Sequence, residues 1–261
     1  MAVIPLALII GDVVLQGGAQ LSWTFLTNLP TPVGVSGGGI GNAIEGSAIL
    51  VGLATLIAVP IGVGAGIYFS EWPESKLSSV SSFMNDVLAE FPSITLGIFV
   101  YIIIVLTTRS FSAYSGGVAL ALIMIPIVAR TTEESLKIVP TSLREASLAL
   151  GIPRWKTVLR IVISTGRSGL ATGILLSVAR ATGETAPLLF TAFGSNYFFS
   201  SLGSPIAALP LLIYTYGISP FPQWQADAWG AALVLVGFML ILNLTVKLLI
   251  GRRFAGVRAE I

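Results

Sequence analysis

The fold open to this chain is limited above all by how seldom charge interrupts its apolar runs. A bilayer crossing needs roughly 20 predominantly apolar residues, and residues 42–69 supply that length with room for tilt. Comparable runs follow at 91–108, 116–129, 168–190 and 230–250, with 116–129 short but continuing as helix to Lys137. Of the 261 residues 54% are hydrophobic and 10% charged, whereas soluble domains carry charge at about a quarter of positions. The expected fold is all-α: one transmembrane domain, residues 1–261, built as a polytopic helical bundle. Residues 2–15 are apolar apart from Asp12 but short for a crossing. They read as a tilted or interfacial piece or, the favoured reading, as a first span whose natural start lies upstream. Counting that piece, six spans result.

Missing residue types exclude most enzymes. Without cysteine or histidine there are no thiol nucleophiles, histidine bases, disulfides or usual zinc sets, so neither a catalytic nor a metal site is expected. No Gly-Lys pair occurs, so no Walker A loop can be drawn and the chain is not expected to bind ATP itself. The run Gly34-Val35-Ser36-Gly37-Gly38 has the letters of a serine-hydrolase elbow, but lacks a preceding strand and a histidine to activate the serine. No feature suggests nucleic acid.

The loops fix an orientation. Residues 21–41 hold Trp23 and no Lys or Arg, which suits an outside loop, whereas 71–90 are polar and read as an interfacial cytoplasmic connection. Residues 191–228 form the longest outside loop, within which the short apolar stretch 205–216, broken by Pro210, reads as re-entrant or interfacial. Small residues at Gly62, Gly64 and Gly66, and at Gly169 and Gly173, suit close helix packing. Lys76, Arg130, Lys137, Arg144, Arg154, Lys156, Arg160, Arg167, Lys247, Arg252, Arg253 and Arg258 fall on or beside one side of this topology, against Arg109 on the other. By the positive-inside rule that side is the cytoplasm, and the C-terminus lies there too.

Within that side, residues 131–167 form a polar interruption. Ser142 and Glu145 fit a capping box, Gly151 supplies a left-handed helix end, and Pro153 stands where a second helix can start. Leu143, Ala146 and Leu150 fall on one face of the short helix between them. A compact amphipathic helix between two spans has the shape to dock into a groove on another protein.

Glu145-Ala146-Ser147, with Gly151 following and the apolar Ile161-Val162-Ile163 beyond, resembles the EAA loop of type I ABC importer permeases. The resemblance departs at Ser147, where a second Ala is usual, and at Ser164, where Pro is frequent. Further on, Leu176-Ser177-Val178-Ala179-Arg180-Ala181-Thr182-Gly183-Glu184-Thr185-Ala186-Pro187-Leu188-Leu189 is similar to phosphate-importer permeases of the PstA type, and the likeness spans roughly residues 38–250. It implies a bacterial or archaeal inner-membrane subunit that pairs with a second related permease, a cytoplasmic ATPase dimer that binds the ATP, and an external phosphate-binding protein. It places ATPase coupling on Leu143, Arg144, Glu145, Ala146, Leu148, Ala149, Leu150, Gly151 and Arg154.

Arg180 and Glu184 would lie about 12 and 16 residues into a span, where charge costs about 2.5 kcal/mol or more. Four apart on a helix, they share a face and can pair. Such a pair can simply glue helices, or Arg180 can meet a passing phosphate with two parallel hydrogen bonds while Glu184 keeps the anion from binding too tightly. The second reading is favoured, with Thr182 and Thr185 as further path candidates. Alternatives to phosphate transport are an ABC permease for sulfate or molybdate, or a self-contained secondary anion transporter.

Overall fold

The structure is a computed structural model that describes residues 3–257, with side chains described for 4–244. The expected all-helical architecture is present: the sole β feature among the described residues is an isolated bridge between Phe193 and Ile206. In chain order the helices are α1 (Val3–Gly18), α2 (Trp23–Thr27), α3 (Gly41–Glu71) and α4 (Lys76–Glu90). They continue as α5 (Ser93–Thr108), α6 (Ala113–Lys137), α7 (Thr141–Ala149), α8 (Arg154–Thr182), α9 (Ala186–Thr191), α10 (Leu209–Gly217) and α11 (Pro222–Val257). Two of them contain π-helical turns, at Tyr101–Val105 in α5 and Val158–Val162 in α8.

Among the described residues four helices, α3, α6, α8 and α11, are long and apolar enough to cross a membrane, and α4 with α5 adds a fifth where that pair counts as one broken span. Helix α1 is apolar but shorter. Six spans are compatible with these helices. The connection over residues 71–90 is mostly helical, since α4 takes up most of it. One sequence boundary shifts: the span expected over 168–190 is not one helix, because α8 ends at Thr182.

The chain divides into two compact units. The first unit holds residues 1–54, 92–120 and 181–241, and the second holds 55–91, 121–180 and 242–261. Charge divides with them. Lys76, Arg130, Lys137, Arg144, Arg154, Lys156, Arg160, Arg167 and Arg180 belong to the second unit and Arg109 to the first. The side chains of Lys247, Arg252, Arg253 and Arg258, and with them the C-terminal placement, lie outside the described residues.

Small residues bring the helices of the second unit together, as their spacing predicts. A Cβ on Gly62 would meet Val128 at 2.7 Å, one on Gly66 would strike the Ala129 carbonyl, and Gly169 and Gly173 abut Ser135 and Thr131. Gly64 faces open space. α6 is thus gripped by α3 on one side and α8 on another, around a core of Leu136, Val139, Val162 and Leu170.

In the first unit the loop between α9 and α10 is tied to the start of α3. Asn42 Nδ2 donates to the Ser195 carbonyl at 2.6 Å, Glu45 accepts from Phe199 N–H at 2.9 Å, and Ser47 Oγ accepts from Leu209 N–H at 2.8 Å. These contacts order a stretch of loop backbone that would otherwise need water. Phe25, Ile40, Ala43, Leu209, Leu212 and Ala231 form the apolar core beside it.

Candidate functional site

The short helix α7 is closed at one end. Its C-terminus closes with a Schellman motif: Gly151, at φ +76°, donates from its N–H to the Leu148 carbonyl at 2.9 Å, and Ile152 N–H reaches the Ser147 carbonyl at 3.2 Å. The expected capping box does not form. Pro140 is the N-cap residue, so Ser142 lies inside the helix and no side chain caps the first turn. Proline before the first turn stops the preceding chain from continuing as helix, which is why α7 starts one residue before Ser142. Pro153 caps the restart at Arg154.

Two arginines reach from this segment to the end of α3. Arg144 donates through Nε and Nη2 to Glu71 Oε1 at 3.1 and 3.0 Å, and through Nη1 and Nη2 to the carbonyls of Val139 at 2.5 Å and Leu136 at 2.9 Å. Glu71 is the last residue of α3, and its side chain is 4% exposed. Arg154 donates to the Glu71 carbonyl and lies over the Trp72 ring, 4.9 Å from its centroid. One guanidinium therefore satisfies the carboxylate while the other covers the open end of α3, where backbone carbonyls lack helical partners. Ser147 Oγ meets Thr157 Oγ1 at 2.8 Å, with both residues buried.

What remains of α7 faces solvent. Leu143, Glu145, Ala146, Leu148, Ala149 and Leu150 are exposed, as is Gly151, and Leu150 reaches 81%. The nine residues expected to couple therefore divide: seven form an open surface, while Arg144 and Arg154 fasten it to α3. Glu71, Ser147 and Thr157 were missed by sequence reasoning. An acid at the end of a long apolar run was the available signal for Glu71.

The second candidate region is the gap between α8 and α9. Arg180 is exposed in the last turn of α8, Thr182 ends that helix and is buried, and Glu184 and Thr185 are half-buried in the break that follows. The expected helical register of Arg180 and Glu184 is not kept, since Gly183 to Thr185 are non-helical and Glu184 N–H closes a turn onto the Ala181 carbonyl at 3.2 Å. Pro187 in the first turn of α9 prevents α8 from running through. The far side of the break is anchored within the first unit: a Cβ on Gly97 would meet Pro187 Cα at 2.5 Å, and Ser115 Oγ donates to the Thr191 carbonyl at 2.8 Å. Arg180 belongs to the second unit and Thr182, Glu184 and Thr185 to the first.

Residues 58–254 match the family described as binding-protein-dependent transport system inner membrane component. The chain belongs to that family. Among relatives of this permease, the phosphate transport system permease protein PstA of Yersinia pestis is 43% identical over 94% of the chain and 83% of its own length. PstA of Xylella fastidiosa strain 9a5c is 48% identical over 85% and 78%, and PstA 1 of Mycobacterium tuberculosis H37Rv is 37% identical over 99% and 84%. In fold, the permease is similar to a chain of the inward-facing MetNI methionine ABC transporter, with a TM-score of 0.66 and 18% identity over 82% of this chain and 94% of that one. It is a multi-pass inner-membrane transport component, and the family implies that such a component works with a second permease, an ATPase and a substrate-binding protein.

Proposed function

We propose that the chain is a membrane subunit of an ATP-driven inorganic phosphate importer. It forms half of the translocation path with a second related permease, takes phosphate from an external binding protein, and docks a cytoplasmic ATPase dimer that binds the ATP. In this reading the subunit performs no catalysis and needs no cofactor. The basic second unit and the C-terminus face the cytoplasm, in keeping with the charge division between the units.

The observation that carries the coupling assignment is α7 itself: an apolar face left open to solvent on a helix whose end is closed by its own backbone bonds and whose Arg144 is fastened to a spanning helix. A free surface helix could drift along the headgroups. One bolted to α3 transmits displacement. A secondary transporter would have no use for it.

Phosphate as substrate rests on the similarity to the PstA proteins. The break after α8 supplies suitable chemistry. Non-helical backbone in a spanning region is tolerated where protein buries it or where it lines a wet path. Arg180 can offer a phosphate two parallel hydrogen bonds, Thr182 and Thr185 can add hydroxyl donors, and Glu184 can weaken anion binding enough for release.

Co-purification with an ATPase, followed by measurement of its nucleotide turnover and coupled uptake with phosphate, sulfate and molybdate as candidate anions, tests the proposal. Phosphate is expected to be the anion whose uptake follows turnover. Uptake of sulfate or molybdate in its place would reassign the substrate, and anion uptake without any ATPase would remove the proposal.

A further inference from the structure

Beside the turn that follows α7, a groove of about 500 Å³ is lined by Gly151, Ile152, Pro153, Lys156, Arg160 and Ile161. Its lining carries two cations and no acid. Among the described residues neither cation forms an ion pair with a carboxylate: the bridges there join Arg130, Lys137 and Arg144 to Glu71, Glu133 and Glu134. Lys156 lies 5.3 Å from the Trp155 ring centroid. Arg160 stands in the π-helical turn Val158–Val162, a local widening of α8 of the kind often found at functional sites.

The surface next to the groove is apolar and open. Trp155 is 61% and Leu159 57% exposed, and four apart they share one face of α8 where that helix leaves the polar segment and enters its spanning part. Two cations without an acidic partner and apolar groove walls, with an exposed tryptophan and leucine alongside, make a site with one cationic end and one greasy flank. Inorganic phosphate would satisfy the cations alone. A phospholipid satisfies both: its phosphate meets Lys156 and Arg160, and its glycerol and first methylenes cover Trp155 and Leu159.

We propose that this groove binds the phosphate of an anionic phospholipid head group. The site requires only that the chain span a bilayer, so it is independent of which anion is transported. It also places a lipid contact immediately after the coupling turn, so membrane composition can bear on the position of α7.

The test uses the whole complex, purified in detergent with its second permease and ATPase, and titrated with phosphatidylglycerol or phosphatidylcholine while retained lipid is counted by native mass spectrometry. The wild type is expected to retain phosphatidylglycerol in preference to phosphatidylcholine. Each cation near a lipid surface is worth about fivefold in affinity, so the Lys156→Gln, Arg160→Gln pair should bind phosphatidylglycerol about 25-fold more weakly, with phosphatidylcholine unchanged. The charge-keeping pair Lys156→Arg, Arg160→Lys should retain it, which keeps the test decisive where the neutral pair assembles poorly. Equal retention by wild type and neutral pair would overturn the proposal. So would displacement of phosphatidylglycerol by millimolar inorganic phosphate, which would make this a free-phosphate site, or loss of the ATPase with lipid retention unchanged, which would make it a protein contact.

Discussion

The segment around α7 and the break after α8 are both polar interruptions of an apolar chain, and they are built in opposite ways. α7 is closed on itself by short-range backbone bonds and fastened through Arg144 and Arg154, leaving an exposed face that carries Leu143, Leu148 and Leu150. The break is an interruption of helix. Its helix stops, its backbone turns at Gly183, and Glu184 and Thr185 stay half-buried between anchored neighbours. A surface that must pass force needs stiffness, whereas a path that must pass an ion needs polar groups not already committed to a helix. The contrast suggests that coupling and anion passage can be damaged separately.

The largest effect is expected on α7. Glu145→Lys, at an exposed position, or Gly151→Trp should abolish both ATPase association and transport while the protein still inserts. At Gly151 an L side chain also carries a left-handed backbone penalty of roughly 1–2 kcal/mol. Pull-down of the ATPase, set against membrane levels of the chain, checks this, and wild-type uptake by either variant would remove the coupling assignment.

An intermediate effect is expected at Glu71. Glu71→Gln keeps the shape but weakens the charge-assisted bonds from Arg144, at a cost of about 1.5 to 3 kcal/mol. The ATPase should still bind, because the α7 surface survives, but uptake per ATP hydrolysed should fall severalfold. An unchanged ratio would mean that the Glu71 contact is structural only.

The smallest effect is expected at Ser147. Ser147→Ala leaves the Thr157 hydroxyl only a long 3.5 Å contact to the Pro153 carbonyl and should lower stability by about 1 kcal/mol. Thermal unfolding of the purified complex would detect it, with uptake close to normal. A large transport defect would place Ser147 among the coupling residues.

The same contrast explains what could be read from the chain. The end of α7 was legible because its determinants are local: Gly151 needs only its own dihedral freedom and Pro153 only its own ring. The spans were legible for the same reason, since apolar length is a property of contiguous residues. The capping box failed because Ser142 and Glu145 fit the letters, while Pro140, just upstream, moved the helix start. The break after α8 is masked in the hydropathy because hydrophobicity continues through residues 186–190, although Gly183 and Pro187, which end the helix, are local. Glu71 was hidden because its partners Arg144 and Arg154 lie far along the chain.

The separation of the two regions is tested most directly by Arg180→Gln in the reconstituted complex, with phosphate uptake normalised to the amount of assembled permease and ATPase. Arg180→Lys serves as the control for charge without the guanidinium fork. The expected result is uptake lost in Arg180→Gln and sharply reduced in Arg180→Lys, with both variants assembled with the ATPase at wild-type levels. Normal phosphate uptake by Arg180→Gln would contradict the role of Arg180 in the anion path, and loss of ATPase assembly in that variant would contradict the separation of the two regions.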